Sequence, residues 1–291
     1  MEATLSLPHA DWHAPTDAVT QAQAVEALES GRVLILSQLP FTLSPQEQAF
    51  LRTDCVRTDT KSVKFSQEKQ AVWGMASAND VPQLKPMLQR YAECARNLVA
   101  ALLPGYVPSL IMGNTSFRPV EAEGRVQSKR HDDRRLHVDA FPSRPNGGQR
   151  ILRVFTNVHP GDRPRMWRVG EPFADVCAHF LPSIRPPLPG SSAVLRALRI
   201  TKGTRTAYDH YMLQLHDHMK LDDDYQREAP QAAIAFPPGT SWVVFSDQVS
   251  HAAMSGQHLM EQTFMLPVAG MHDPALSPLK VLERQTGKPL S

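Results

Sequence analysis

Cysteine is scarce in this chain of 291 residues, and long apolar runs are missing. The three cysteines, Cys55, Cys94 and Cys177, show no paired spacing. That pattern argues against a disulfide scaffold or a C-x-x-C zinc site and suits a reducing cytosol. No window approaches the roughly 18 unbroken apolar residues of a membrane span. The first residues show no basic patch followed by an apolar run, so no signal peptide is expected. These absences predict a cytoplasmic protein.

A dominant charge of one sign is also missing. Lysine and arginine number 31 against 29 acidic residues, and the net charge is +2. No global field therefore attracts nucleic acid, and we expect no nucleic-acid partner. Basic residues are nevertheless concentrated between Arg118 and Arg168. Hydrophobic residues make up 42% of the chain, which is enough to bury a full core in one large domain or two ordinary ones.

The first third of the chain is predicted to be rich in helix. Asp17 is a candidate N-cap for a helix that ends near Gly31. A capping box of sequence S-P-Q-E begins at Ser44 and predicts the start of another helix. An apolar period predicts a long helix from about Pro82 to Leu103. We expect these helices to support a sheet, whereas residues 1–15 and 56–79 show no clear pattern.

The second part of the chain alternates between predicted strands and helices. Strands are predicted near residues 110–118, 135–141, 149–158, 231–236, 240–246 and 261–267. Helices are predicted at 172–180, 191–200 and 206–220. Strands that flank a helical insertion predict an α+β fold with a double-stranded β-helix core, the jelly-roll or cupin-like architecture. We expect one domain over residues 1–291, with a buttress at 1–108, a core at 109–270, an insertion at 170–225 and a loose tail at 271–291.

One short segment carries the strongest chemical pattern. His137 and Asp139 are two residues apart in an apolar strand pattern, so both side chains point to one face while Leu136 and Val138 point to the other. About a hundred residues later, His251 follows a Pro-Gly turn, an apolar strand and a Ser-Asp pair. Two histidines and one carboxylate form the facial triad, which binds Fe(II) and leaves three positions for a cosubstrate and O2. The sequence therefore predicts an iron site at His137, Asp139 and His251.

An Fe(II) site needs a reductant to activate O2, and 2-oxoglutarate is the cosubstrate that supplies it in one class of oxygenase. It chelates iron through its 2-oxo acid end, and its far carboxylate requires a cation. Arginine suits this role because it binds a carboxylate with two parallel hydrogen bonds. The segment from Gly256 to Thr263, after the second histidine, contains no arginine. Arg153 shares a strand face with Ile151 and Phe155, which are expected to point inward, and a buried charge must be paired. Arg153 is therefore the candidate, and a structural salt bridge is the alternative interpretation.

Further candidates surround the predicted iron site. Arg165 and Trp167 alternate like an extended pair in a loop that could close over the cosubstrate, although a plain surface position is the alternative for Arg165. Arg118 ends a strand and could line the same pocket. Arg150 points to the other face of its strand and is expected to face solvent. The remaining basic residues could meet an anionic substrate or form a solvated loop: Lys129, Arg130, Arg134 and Arg135.

The other histidines are weaker candidates. His216 and His218 lie two positions apart on a predicted helix, so they do not share a face and cannot both bind one ion. Ordinary surface histidines are the better interpretation for both. His258 is close to His251 in sequence and could support it.

Four motifs are similar to those of a known family. They are HVDAFPSRP at 137–145, LRVFTN at 152–157, RMWRVGE at 165–171 and SDQVSH at 246–251. Together they resemble the Kdo 3-hydroxylases, the Fe(II)/2-oxoglutarate dioxygenases of Gram-negative bacteria. Length and order of elements agree over most of the chain, although the first third carries no diagnostic motif.

The resemblance implies an activity and a set of roles. The family adds a hydroxyl group at carbon 3 of a Kdo sugar in the inner core of lipopolysaccharide, on a Kdo-lipid A precursor, and the product sugar is Ko. His137, Asp139 and His251 would bind Fe(II). A second set would hold 2-oxoglutarate: Arg118, Arg153, Arg165 and Trp167. An enzyme of this kind would meet its glycolipid at the cytoplasmic face of the inner membrane, through peripheral contact between its basic loops and anionic headgroups.

Three other functions remain open from the sequence. The same site could oxidise another anionic small molecule or a peptide. A cupin-like metal hydrolase or isomerase would use no 2-oxoglutarate and would not require Arg153 near the metal. A non-catalytic β-roll that binds anionic glycolipid would not require an intact triad.

Overall fold

Two β-sheets form the centre of the protein, as seen in a computed structural model that describes residues 2–124 and 127–291. Within these residues the strands are β1 (Thr4–Ser6), β2 (Val33–Leu36), β3 (Val63–Ser66), β4 (Ala71–Trp73), β5 (Ile111–Arg118), β6 (Arg150–Asn157), β7 (Arg165–Val169), β8 (Ala232–Phe236), β9 (Ser241–Phe245), β10 (His251–Ser255) and β11 (Leu259–Leu266). The helices are α1 (Ala18–Glu29), α2 (Pro45–Gln48), α3 (Val81–Leu102), α4 (Phe173–Phe180), α5 (Ser191–Ala197), α6 (Ala207–Leu221), α7 (Asp223–Glu228) and α8 (Pro278–Thr286).

The larger sheet has eight strands in the order β1-β2-β9-β6-β11-β5-β3-β4, and the smaller sheet has three in the order β10-β7-β8. Neighbours are antiparallel except for the parallel pair β1 and β2. An aromatic cluster fills the space between the sheets, where Phe236 stacks on Trp242 with ring centroids 4.0 Å apart. Phe155 and Trp167 join this cluster. The predicted jelly-roll core is confirmed.

Helices cover the outer face of the larger sheet. Apolar residues of α3 recur at helical spacing and are buried against β5 and β11, as the sequence period predicts. The Tyr91 hydroxyl donates a hydrogen bond to the Val154 carbonyl of β6 at 3.2 Å, which satisfies its polar end inside the core. Asp17 caps α1, and Ser44 with Glu47 forms the predicted capping box of α2.

A second apolar cluster joins the insertion to the metal-site segment. It includes Leu136 and Val138, which are fully buried against residues of α4, α6 and α8. The tail expected to be loose instead forms α8, which is capped by the side chain of Ser277 and buries Leu279 and Leu282. The tail prediction is therefore wrong after residue 277, because α8 closes this cluster.

The structure also differs from the sequence-based expectations at three short strands, at segment 135–141 and at Arg150. The first third supplies β1, β3 and β4 to the larger sheet, although residues 1–15 and 56–79 show no clear pattern in the sequence. Segment 135–141 is not a regular strand, and its only ladder pairing in the described structure is a single bridge between His137 and His251. Arg150 is fully buried, with its Nε atom 2.8 Å from Asp247 and its guanidinium stacked on Phe245, so it does not face solvent.

Candidate metal centre

The two histidines of the predicted triad face each other across backbone hydrogen bonds. The His137 amide donates to the His251 carbonyl at 3.0 Å, and the His251 amide donates back at 2.9 Å. Two residues further on, the Asp139 amide donates to the Ser246 carbonyl at 2.8 Å, which fixes the backbone of this extended segment at Asp139. The two-residue spacing thus places His137 and Asp139 together even without a regular strand.

The donor atoms of His137, Asp139 and His251 all lie within 4.8 Å of one another. The Nδ1 atom of His137 lies 2.8 Å from the Arg135 carbonyl oxygen, and Nδ1 of His251 lies 2.8 Å from that of Val249. A ring nitrogen beside a carbonyl oxygen carries the hydrogen, so each Nε2 keeps its lone pair for a metal. This donor set therefore fits Fe(II), which this group of ligands binds facially.

The charge states of the three side chains also suit a metal. Burial lowers the pKa of His137 well below its ordinary value, and Lys220 and His251 lower it further. Burial likewise lowers the pKa of His251, so both rings are neutral at neutral pH, as metal ligation requires. Burial alone would raise the pKa of Asp139, but its pKa is lowered, chiefly by the Arg153 guanidinium, so the carboxylate is ionised.

Arg153 connects the triad to a buried carboxylate on β11. Its Nη2 atom lies 2.9 Å from Oδ2 of Asp139, and its Nη1 donates to Oε1 of Glu261 at 2.8 Å. Arg118 holds the other oxygen of Glu261, with Nη2 at 2.6 Å. Burial opposes ionisation of Glu261, but the two arginines prevail and its pKa is lowered. Arg153 therefore faces inward as predicted and also forms the ion pairs of the alternative interpretation.

Arg165 and Trp167 lie on the other side of the centre, on β7. Both are buried, so Arg165 is not a plain surface residue, and their segment is a strand instead of a loop. The Trp167 ring stacks on His251 with centroids 5.0 Å apart, and Arg165 Nη1 donates to the Gly256 carbonyl at 2.5 Å. Gly256 has a φ of +106°, and a Cβ there would lie 3.0 Å from the Arg165 Cα. The close approach of these two backbones requires glycine.

A cavity of about 910 Å³ opens beside the centre and has Arg118, Arg153 and Glu261 in its wall. Alternating residues of β3, β5 and β11 form its floor, and the loop from Phe141 to Asn146 borders it. Trp167 and Arg165 do not line this cavity in the described structure. The structure thus brings two members of the predicted cosubstrate set to the cavity and the other two to the His251 side.

Sequence reasoning missed two residues of α6. The His216 ring packs edge-on against the His137 ring, with centroids 5.4 Å apart, and only 14% of its side chain is exposed. The prediction of an ordinary surface histidine is therefore wrong for His216. Lys220, one turn further on, is almost fully buried, and its Nζ lies 3.9 Å from Asp133. The i, i+4 spacing of His216 and Lys220 was the available signal, because it places both side chains on one helix face.

Other predicted candidates lie away from the centre or are paired. The His258 ring packs against His159 at 5.4 Å, and its pKa is lowered to about 4 by burial and by that neighbour. The four basic residues before His137 form ion pairs with Asp132 or with acids on α6 and α7: Lys129–Asp223, Arg130–Asp217, Arg134–Asp132 and Arg135–Asp223. Most of this run therefore joins the metal-site loop to the insertion.

A jelly roll that presents two histidines and a carboxylate beside an arginine-lined cavity defines a class. It is the class of non-haem iron dioxygenases that depend on 2-oxoglutarate. Residues 11–289 match the family model described as 3-deoxy-D-manno-oct-2-ulosonic acid (Kdo) hydroxylase. The chain belongs to the Kdo hydroxylase family and is an enzyme.

Solved structures agree with this assignment. The chain is 45% identical to the Kdo hydroxylase KdoO, a non-heme Fe(II) α-ketoglutarate-dependent dioxygenase, in complex with α-ketoglutarate and Fe(III). That match covers 99% of this chain and 97% of the other, with a TM-score of 0.96. The cobalt(II) complex of KdoO matches with 46% identity, the same coverage and a TM-score of 0.97. A comparison with curated protein sequences finds no match.

Proposed function

We propose that this protein hydroxylates carbon 3 of a Kdo sugar on a Kdo-lipid A precursor and so forms Ko in lipopolysaccharide biosynthesis. It uses Fe(II), 2-oxoglutarate and O2. The observation that carries the proposal is the preorganised set of His137, Asp139 and His251 beside a cavity walled by arginine. The α-ketoglutarate and succinate complexes of KdoO support it, since these are the cosubstrate and coproduct of such a reaction.

His137, Asp139 and His251 would hold the iron, which when bound supplies O2 activation and oxidation of an unactivated C–H bond. The protein orients the ligands before the metal arrives. Backbone carbonyls fix both imidazoles through Nδ1. Arg153 engages Oδ2 of Asp139, while Oδ1 lies 3.8 Å from Nε2 of His137. One carboxylate oxygen therefore faces the metal position and the other is held by a cation.

Arg118, Arg153, Arg165 and Trp167 would hold 2-oxoglutarate. Arg118 and Arg153 offer guanidinium groups at the cavity wall, and a carboxylate there forms charge-assisted hydrogen bonds. Glu261 forms an ion pair with each of these arginines in their present position. Trp167 covers His251 and excludes water from that side of the centre. Drawing these residues from β5, β6 and β7 would account for the lack of an arginine after His251.

The cavity also suits an acidic acceptor. Beyond Arg118, Arg153 and Glu261, only one carboxylate among the described residues lines the cavity, that of Glu68. Four further cations line it: Lys64, Lys69, Arg144 and Lys202. Burial lowers the pKa of Lys64, and the nearby arginines Arg118, Arg153 and Arg144 add to this shift, which indicates a locally positive potential. A sugar acid would be attracted to this wall. A cupin-like hydrolase would have no need of the two arginines, and a simple binding module would have no need of the triad.

We further propose that the enzyme works in the cytoplasm, in peripheral contact with the inner membrane, where its glycolipid acceptor would lie. In the described residues, no helix has the length and apolar character needed to cross a bilayer.

The test combines metal binding with product analysis. Anaerobic titration of the purified protein with Fe(II) and 2-oxoglutarate should give a visible metal-to-ligand charge-transfer band that needs both additions. Incubation with Kdo-lipid A and O2 should then add one oxygen atom to the Kdo sugar, detected by mass spectrometry. Asp139→Ala should abolish both signals, whereas Asp175→Ala, which removes an exposed carboxylate on α4, should leave them unchanged.

Two results would contradict the proposal in different ways. Normal turnover by Asp139→Ala would refute the assignment of the ligands. A normal charge-transfer band with no oxygen added to Kdo-lipid A would keep the class of enzyme and refute the acceptor.

A further inference from the structure

Large apolar side chains are exposed together on one part of the insertion. Leu188 is 77% exposed, Val194 58%, Leu198 65% and Ile200 53%. They lie on α5 and on the loops at either end of it. Single exposed apolar residues are normal, but a cluster on one short segment marks a surface that contacts something other than water. We name residues 185–205 the apolar-basic segment.

The charges of this segment all have one sign. It contains five basic residues and no acidic one: Arg185, Arg196, Arg199, Lys202 and Arg205. The acid-free stretch extends from residue 176 to residue 208. None of the five cations forms an ion pair with a carboxylate in the part of the chain that the structure describes. Their charge is therefore available to an external anion.

The basic run before His137 differs in this respect. Its cations are paired with Asp132, Asp217 and Asp223. The expectation that this run contacts anionic headgroups is therefore less well supported than contact through the apolar-basic segment, which combines free charge with exposed apolar side chains.

The segment is joined to the rim of the cavity. The Lys202 amide donates to the Ser143 carbonyl at 2.9 Å, and Arg205 Nη2 donates to the Pro142 carbonyl at 2.6 Å. Lys202, Pro142 and Ser143 all line the cavity that contains Arg153. Whatever the segment binds is therefore held beside the entrance to the candidate active site.

We propose that the apolar-basic segment is a peripheral docking surface for a bilayer that contains anionic phospholipid. Exposed leucine, valine and isoleucine would enter the boundary between headgroups and acyl chains, and the surrounding arginines would pair with phosphates. The choice of a bilayer as the occupant rests on the proposed glycolipid acceptor. Docking in this orientation places the cavity rim at the membrane surface, where the sugar of a lipid-anchored acceptor lies.

The test is sedimentation of the full chain with vesicles that contain no Kdo-lipid A. One set is phosphatidylethanolamine with phosphatidylglycerol, and the other is pure phosphatidylcholine. The charge variant is Arg196→Gln with Arg199→Gln, and the apolar variant is Leu188→Ser with Leu198→Ser. The matched control is Val19→Ser, which removes an equally exposed apolar side chain on α1 (68%). Hydroxylation of detergent-dispersed Kdo-lipid A is measured on the same proteins.

We expect binding to the anionic vesicles that weakens with salt and weak binding to the neutral ones. Each cation near an anionic surface contributes about fivefold to partitioning, so the charge variant should bind about 25-fold more weakly. The apolar variant should lose about tenfold or more, the Val19→Ser control should bind like wild type, and all variants should keep their activity in detergent.

Three outcomes would overturn the docking proposal. The first is absence of binding to the anionic vesicles, and the second is an equal loss of binding in the Val19→Ser control and the segment variants. The third is a wild-type protein that self-associates and an apolar variant that is monomeric but still binds the vesicles. The last would assign the surface to a second copy of the chain. Because the vesicles carry no acceptor, inactivity in detergent would refute the proposed acceptor without changing the vesicle result.

Discussion

Arg153→Ala tests the centre of the proposal, because this side chain joins the triad to the cavity. It removes a guanidinium that contacts Asp139 at 2.9 Å and Glu261 at 2.8 Å. A hydrogen bond to a charged group is worth about 1.5–3 kcal/mol, so loss of one such bond to 2-oxoglutarate should raise its Kd by about 10–150-fold. Loss of the group that orients a ligand typically weakens metal binding by about 10–100-fold.

The variant should also be less stable without metal. Glu261 keeps Arg118 as a partner, but Asp139 loses its cation and becomes an uncompensated buried carboxylate. Breaking a buried ion pair costs about 3–5 kcal/mol, and water in the adjoining cavity will offset part of this cost. The pKa of Asp139 should rise in the variant, since Arg153 is the largest influence that lowers it.

The assay is an anaerobic titration with 2-oxoglutarate at saturating Fe(II), in which the intensity of the charge-transfer band is monitored. Arg153→Lys should give an intermediate Kd, because an ammonium keeps the charge but cannot span two carboxylates with a planar fork. The control is Arg32→Ala, which removes an ion-paired arginine next to β2, an outer strand of the same sheet. A Kd for Arg153→Ala within twofold of wild type would refute the role of Arg153 in cosubstrate binding.

Four further predictions follow from the packing and the charges. Arg150→Met leaves Asp247 buried without its cation, so urea denaturation should show a loss of about 3–5 kcal/mol in unfolding free energy. Gly170→Ala places a Cβ 2.6 Å from Oγ of Ser250, next to His251, and should weaken Fe(II) binding measured by titration while the protein stays folded. Asp133 has a pKa below its ordinary 3.8: burial opposes this, but Lys61 and Arg118 prevail. Its pairing therefore stabilises the fold above pH 3.8 and is lost as pH falls further, so Asp133→Asn should lower stability at neutral pH and flatten the acid-unfolding curve below that value. Adding Fe(II) alone at about 100 times its Kd should stabilise the protein by about 2.7 kcal/mol, and a chelator should reverse the gain.

The sequence predicted the chemistry better than the outer parts of the fold. The grouping of the three candidate ligands was predictable because His137 and Asp139 share a face through local spacing, and because His251 follows a distinctive strand and turn. The caps at Asp17 and Ser44 were also predictable, since capping depends on side chains within a few residues. The caps require no knowledge of distant contacts, and each half of the triad is marked by its own local pattern.

The errors concern features that depend on partners distant in sequence. Arg150 was expected at the surface, but β6 is a central strand of the larger sheet, and both of its faces are covered. His216 looked like a surface histidine because helical spacing shows which residues share a face but not what that face contacts. β3 and β4 are short, and they are strands only because β5 lies beside β3.

The last helix is a different case, because its signals were present in the sequence. Ser277 and Pro278 form a capping pair, and Leu279 and Leu282 are spaced three residues apart. The polar composition of the surrounding tail outweighed these signals in the prediction. A short amphipathic segment can be recognised when its cap and its apolar spacing are considered together.

The alternating row of charges from Asp139 through Arg153 and Glu261 to Arg118 has a thermodynamic consequence. Arg153 divides its ion pairs between Asp139, a proposed metal ligand, and Glu261 in the cavity wall. An anion in the cavity that takes one of these bonds alters the charge that Asp139 presents to iron. Linkage then requires that iron change the affinity for that anion by the same factor. If 2-oxoglutarate binds there as proposed, cosubstrate and metal are coupled in binding, and the affinity for either one is defined only when the occupancy of the other is stated.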